Sequence, residues 1–350
     1  MKKIKVLHLI STDVFSGAEN VACQIIKKFE NNENYEMVYC SKLGKNEERL
    51  NNLEINLLPI KKFDYFSVKK AIKEYNPDVV HAHDIKASIM AAIICDDKIK
   101  IISHVHCNHE NMRKKNMKTL LFNYFSKKYS KIIWVSQSAF DNYIYSDRVK
   151  DKSIVLYNVI DKNGIFNAIK NDKENYGTFD IIYLGRLTYA KYPERLINII
   201  KQIKDKGYNI KAAVVGTGEL YDDIKELIHK FKLDKNVKLF GYVTNPYKIL
   251  NSSKILVMTS RYEGTPMVAL EAMALGKPII STPTDGMVDI IDNEKNGFLS
   301  NSDSELVNKI IEILNDEEKY LSMSNYVKHK SDEVNNIQIY CEKMRKIYEK

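Results

Sequence analysis

The chain has 350 residues, enough for two domains that each bury a core of their own, and its 44% hydrophobic and 28% charged content is that of a globular protein rather than a disordered one. No apolar run approaches the roughly 20 residues needed to cross a bilayer. The five cysteines, Cys23, Cys40, Cys95, Cys107 and Cys341, are odd in number and lack metal-ligand spacing, which argues against a disulfide framework and for reduced thiols in a cytoplasmic setting. The net charge of +9 is confined to the first half, because residues 1–170 hold 28 Lys and Arg against 19 Asp and Glu while residues 171–350 hold 26 of each.

The opening MKKIKVLHLIST has basic residues before an apolar stretch, but that stretch is short, β-branched and without a small-residue cleavage site, so it reads as a first strand. Strand-like runs follow at 4–10, 35–40, 77–83, 131–136 and 153–158, with amphipathic helical stretches such as 17–30, 64–75 and 138–148 between them. Apolar residues on consecutive positions mark strands covered on both faces, as in a parallel sheet. The polar stretch 166–178 reads as a linker, after which the rhythm restarts at 179–185, 211–216, 237–241, 254–260 and 277–281. The expected fold is α/β, with two tandem Rossmann-like doubly wound parallel-sheet domains facing across a cleft. Residues 1–165 form the first domain and 166–330 the second. Residues 331–350 form a final helix, with Val334, Ile337, Tyr340, Met344 and Ile347 on one face, that packs back on the first domain.

The segment SRYEGTPMVALEAMALGKPII (260–280) is the most informative. A strand ends, a Gly-Thr-Pro turn follows, and a helix starts near Pro266, so the amides of Thr265, Met267 and Val268 are placed to receive phosphate oxygens. Glu263 precedes the helix and Glu271 lies about a turn and a half inside it. Carboxylates so placed accept hydrogen bonds from hydroxyl groups. A cap at Glu263 and a solvated helical Glu271 would be the purely structural alternative.

This segment resembles the donor-binding E-x7-E signature of retaining glycosyltransferases of family 4, which have the GT-B fold, and bacterial capsule and envelope polysaccharide enzymes are among those it resembles. YLGRLTYAKYPERLI (183–197) is similar to the family's Gly-Arg-(x4)-Lys segment, while VVGTGEL (214–220, with Gly216), FGYV (240–243) and NGFL (296–299) fall where the family pattern has them. In the first half SGAENVA (16–22), PDVVHAHD (77–84) and VLYNVID (155–161) continue the match. The resemblance implies that Arg186 and Lys191 bind the donor diphosphate, that Glu263 positions the sugar and Glu271 the ribose, and that Tyr242 and Val243 flank the nucleobase. It implies that amides at Ser16-Gly17 approach the donor phosphates, where the family often has two glycines. It also implies that His106 contacts the donor sugar, with His104 its nearest competitor.

The implied reaction moves a sugar, from a UDP-sugar by preference, to a hydroxyl of a lipid-linked or polysaccharide acceptor, with retention and without a metal or other cofactor. Basic groups fixed beside a leaving diphosphate supply the charge that a divalent ion supplies elsewhere. His81 and His83 lie on one face of a strand and His104, His106 and His109 follow another, a pattern that could suit a metal centre, but no carboxylate or cysteine set completes it. The segment 111–131 carries seven Lys and Arg and no Asp or Glu around Met117, Leu120, Leu121, Tyr124 and Phe125, which suits either an amphipathic helix on an anionic membrane or a stripe packed into the first domain. Nucleic acid is not an expected partner, because no recognition motif accompanies the charge. A nucleotide-sugar epimerase of the same fold and a non-catalytic sugar-nucleotide-binding protein are the alternatives.

Overall fold

The computed structural model describes residues 3–13, 17–44, 46–106 and 110–349; Ser16, Cys107 and His109 lie outside the described residues. The chain divides into two compact units, residues 1–158 with 338–350, and residues 159–337.

The first unit holds a seven-stranded parallel sheet made of β1 (Ile4–Leu9), β2 (Tyr35–Lys42), β3 (Leu57–Ile60), β4 (Val79–Ala82), β5 (Lys100–Val105), β6 (Tyr129–Trp134) and β7 (Ser153–Val155), in the order β3-β2-β1-β4-β5-β6-β7. The second holds β8 (Phe179–Leu184), β9 (Ala212–Val215), β10 (Val237–Gly241), β11 (Ser253–Met258), β12 (Ile279–Ser281) and β13 (Gly297–Leu299), also parallel, in the order β10-β9-β8-β11-β12-β13. Both are doubly wound α/β sheets. The interior strands β4 (VVHA) and β9 (AAVV) are buried on every residue, which is what consecutive apolar positions require. Strand order reverses at β1/β4 and at β8/β11, where such sheets open a crevice beyond the strands' carboxyl ends.

Several boundaries differ from the sequence expectation. Residues 166–178 are not linker throughout, because Lys162–Asn171 is a helix with Ile165 buried that packs on the helices Tyr247–Asn251 and Met267–Ala274. That packing draws 159–165 into the second unit, so the division falls at 158/159 and not at 165/166. The stretch 138–148 splits into Gln137–Asp141 and Ser146–Val149. The end of the chain is two helices, Glu317–Val334 and Ile337–Glu349, parted where Asn335 turns its side chain to Ile160, accepting from its amide at 2.6 Å and donating to its carbonyl at 3.1 Å. The last helix belongs to the first unit: it buries Tyr340, Met344, Ile347 and Tyr348, and Tyr35 donates to Glu349 at 2.9 Å. β3 was missed because LLPI carries a proline, which an edge strand tolerates.

In the basic segment a helix runs over Met117–Phe125, started by a capping box between Asn116 and Thr119. Thr119 and Phe122 face inward. Met117, Leu120, Leu121 and Tyr124, at i, i+3, i+4 and i+7, form an exposed apolar stripe flanked by exposed Lys114, Lys115, Lys118, Lys127 and Lys128. No helix among the described residues is long and apolar enough to cross a membrane.

Candidate active site

In the second unit three loops converge at the carboxyl ends of β8, β9 and β11. The first two are fused by glycine. Gly216 has φ +139°, and a Cβ on it would stand 1.9 Å from the carbonyl oxygen of Gly185; a Cβ on Gly218 would stand 2.3 Å from that of Leu187. Freed of those atoms, the loops exchange backbone bonds, Gly185 N–H to Val215 at 3.0 Å, Leu187 N–H to Thr217 at 2.9 Å and Leu220 N–H back to Leu187 at 3.0 Å. Arg186 stands exposed at this junction, with no ion pair among the described residues.

The β8 loop is strapped in turn to the end of β11. Arg261 N–H donates to Ala190 O at 2.9 Å, its guanidinium lies 3.5 Å from the Tyr192 ring centroid and 4.3 Å from that of Tyr189, and the Thr259 hydroxyl donates to Tyr192 O at 2.8 Å. Tyr192 takes a left-handed conformation, φ 49°, immediately before Pro193 opens the next helix. The strap carries Lys191 to Glu263. Lys191 Nζ donates to Glu263 Oε1, which also accepts from Ser260 Oγ at 2.6 Å, and the Glu263 side chain is nearly buried. Lysine has three N–H donors, so one bond to Glu263 leaves two for another anion.

Beyond Glu263 the chain turns through Gly264 and Thr265 into the helix Met267–Ala274, with Pro266 as its N-cap rather than its first helical residue. A Cβ on Gly286 would lie 1.6 Å from Gly264 O, so that glycine lets the segment 284–287 back the turn closely. The first helical amide with a backbone partner is that of Ala269, bonded to Pro266 O at 3.0 Å; those of Met267 and Val268 have none among the described residues and form the anion-attracting helix start. Glu271, on the fifth helical residue, is half-buried, and burial pushes its pKa up to about 7, against the lowering effect of the hydroxyl of Tyr247, which donates to Oε1 at 3.3 Å. Tyr242 is 69% exposed beside half-buried Val243, just past β10.

Arg186, Lys191, Gly216, Glu263, Thr265, Pro266, Met267, Val268, Glu271, Tyr242 and Val243 therefore all belong to the strand-end loops of one unit or the helix that follows β11. Gly17 and His106 belong to the other. Gly17 starts the helix Gly17–Phe29, and a Cβ there would meet nothing within 4 Å, so packing does not demand a glycine. Ser260, Arg261, Tyr247, Gly218 and Gly286 were not anticipated. The glycines sat in visible turns, whereas Tyr247 and Ser260 carry no local mark of the carboxylates they serve.

His106 lies at the end of β5, and here the first unit gathers its histidines. His83 Nδ1 is 3.0 Å from His106 Nε2, His83 Nε2 is 2.9 Å from His8 Nδ1, His81 Nε2 is 3.2 Å from His104 Nδ1, and His81 Nδ1 is 2.9 Å from the Tyr348 hydroxyl. Burial lowers all five imidazole pKa values, that of His8 and that of His106 to about 3. The sets His8, His81, His83 and His83, His104, His106 each bring three ligand nitrogens within 4.8 Å of one another, with no carboxylate or thiolate among the described residues completing either.

Residues 165–330 match the family model for glycosyl transferases group 1, and residues 15–163 match that for glycosyltransferase family 4. Two uncharacterized glycosyltransferases of Methanocaldococcus jannaschii are 32% and 30% identical over 62% and 71% of this chain, which spans 58% and 69% of their lengths. The capsular polysaccharide biosynthesis glycosyltransferase CapM of Staphylococcus aureus is 27% identical over 99% of this chain and 97% of its own length. Among solved structures, Anabaena Alr3699/HepE in complex with UDP superposes with a TM-score of 0.84 at 18% identity, covering 98% of this chain and 99% of that one. The chain belongs to glycosyltransferase family 4, with the two-sheet GT-B architecture. It is a glycosyltransferase by family, which points away from the epimerase alternative.

Proposed function

We propose that the protein transfers a sugar, with retention of anomeric configuration, from a UDP-sugar to a hydroxyl of a lipid-linked or polysaccharide acceptor in capsule or envelope biosynthesis. One observation carries the reading: cations and free amides, Arg186, Lys191 and the helix start at Met267 and Val268, share the strand-end loops of one unit with two carboxylates, Glu263 and Glu271. UDP is favoured because the Anabaena neighbour was solved with it, and a capsule role because of CapM.

Cleaving a sugar–diphosphate bond builds negative charge on the departing phosphate. Arg186 and the two unengaged N–H groups of Lys191 neutralise it, so the transfer needs no divalent metal. Glu263 is tied to Lys191 and Ser260 and so acts by holding sugar hydroxyls rather than as a nucleophile. Glu271 takes the ribose, Tyr242 and Val243 the base. Gly17 offers its amide to the donor phosphates, and His106 meets the sugar. The basic first half recruits an anionic surface or acceptor, and the exposed stripe Met117, Leu120, Leu121 and Tyr124 with its lysines seats the enzyme on the cytoplasmic face of an anionic membrane.

Incubating the purified chain with a panel of UDP-, GDP- and ADP-sugars, with and without EDTA, tests this. Expected is slow hydrolysis of one UDP-sugar, unaffected by EDTA, with the product's first-formed anomer, read by NMR, matching the donor. No hydrolysis of any nucleotide sugar, an inverted product, or abolition by EDTA would each overturn the corresponding part.

A further inference from the structure

The buried histidines of the first unit do more than fill a core. His8, His83 and His106, from β1, the end of β4 and the end of β5, form one hydrogen-bonded chain, with contacts of 2.9 Å and 3.0 Å. Burial keeps the rings neutral near pH 7, so each carries one N–H. His83 uses both nitrogens in the chain, donating at one and accepting at the other, which forces both bonds to run in the same direction.

The ends decide which direction. His8 Nε2 and His106 Nδ1 have no partner among the described residues. Either direction leaves one buried N–H without a protein partner, at His8 Nε2 or at His106 Nδ1, and an unused lone pair at the opposite end. Orphaned buried donors are rare in proteins, so the N–H belongs at the end where a bound ligand can meet it. That end is His106, the one partly exposed residue of the chain, because His8 is fully buried.

We infer that His8 and His83 are positioning residues that lock His106 as its Nδ1–H tautomer, so that it presents a hydrogen-bond donor to an oxygen acceptor, a hydroxyl of the transferring sugar. The sugar contact rests on the role proposed above for His106; the tautomer does not. A metal ion fits less well, since both candidate triads need His83, whose nitrogens are both engaged, and no carboxylate offsets a buried dication.

Long-range proton–nitrogen NMR on the full chain with nitrogen-15 imidazoles reads the tautomers directly, with the His106 signal assigned by its loss in His106→Gln. Expected are Nδ1–H forms for His8, His83 and His106, a change to Nε2–H or a mixture at His106 in His83→Phe, and retention in His83→Gln, whose amide can accept from His8 and donate to His106. In hydrolysis of UDP-glucose and UDP-N-acetylglucosamine, His83→Phe should lower kcat about tenfold with KM within about twofold, and His83→Gln should recover most of it. An Nε2–H His106 in the unaltered protein, or an unchanged His106 tautomer in His83→Phe, would overturn the inference. The expected tautomers together with unimpaired hydrolysis in His106→Gln would uphold the lock and overturn the sugar contact.

Discussion

Lys191 and Glu263, 72 residues apart, form an ion pair at the start of the helix that carries Glu271. Replacing Lys191 by Met should strand a nearly buried carboxylate and destabilise the fold on the order of 3 kcal/mol. Lys191→Met with Glu263→Gln should regain most of that stability and none of the turnover. Urea midpoints and donor hydrolysis measured on the two single variants and the double separate the roles, and a double variant no more stable than Lys191→Met would exclude the electrostatic coupling.

Glu271 titrates close to neutrality, with a pKa raised to about 7. At pH 8 it is a carboxylate able to accept from the ribose hydroxyls proposed as its ligands, and at pH 6 it is largely protonated. UDP affinity, followed by calorimetry, is therefore expected to weaken as pH falls from 8 to 6, and Glu271→Gln to be weaker throughout and flat. Because the native state holds this proton more tightly than the unfolded chain, the same group makes stability fall as pH rises from about 4.5 to about 7.

The histidines push the other way, and there are five of them. Their folded pKa values lie below 6.5, so the unfolded chain binds more protons in acid, and stability rises with pH up to about 6.5. Inside the window each group contributes about 1.4 kcal/mol per pH unit. The urea midpoint should drop steeply between pH 6.5 and pH 4.5, and His104→Leu should make that slope shallower. Equal slopes in the two proteins would show that His104 is not buried neutral.

Gly216 and Gly17 should respond oppositely to alanine. At Gly216 the added Cβ meets a backbone oxygen at 1.9 Å and φ is +139°, so a loss of at least about 2 kcal/mol is expected, with donor hydrolysis falling in parallel. At Gly17 a Cβ meets nothing within 4 Å, and the thermal midpoint should match that of the unaltered chain. Thermal melting of the two variants is the check.

The exposed stripe on Met117–Phe125 predicts binding to vesicles rich in phosphatidylglycerol, weakened by salt. Leu120→Glu with Leu121→Glu should abolish co-sedimentation while leaving the melting temperature within about 2 °C, because both side chains are already exposed. Retained sedimentation would assign the stripe to a different partner.

The features legible beforehand were those written locally. Consecutive apolar positions gave the buried parallel strands, and Glu263, the Gly-Thr-Pro turn and Glu271 announced a helix start, because capping and turn chemistry act over a few residues. The linker expected at 166–178 holds for 172–178 only, since the helix Lys162–Asn171 runs into it. A mostly polar run suits an exposed helix as well as a linker, and only the burial of Ile165, just before the run, against the neighbouring helices shows that 162–171 is folded.

The sequence by itself determined the two-sheet class and which residues carry cations, carboxylates and turn glycines, since those depend on residue type and short spacing. The tertiary structure alone decided partnership: Lys191 with Glu263, Tyr247 with Glu271, and His8 with His83 and His106. In a parallel sheet neighbours in space are separated by whole crossover segments, and no local pattern records which strand end will stand beside which.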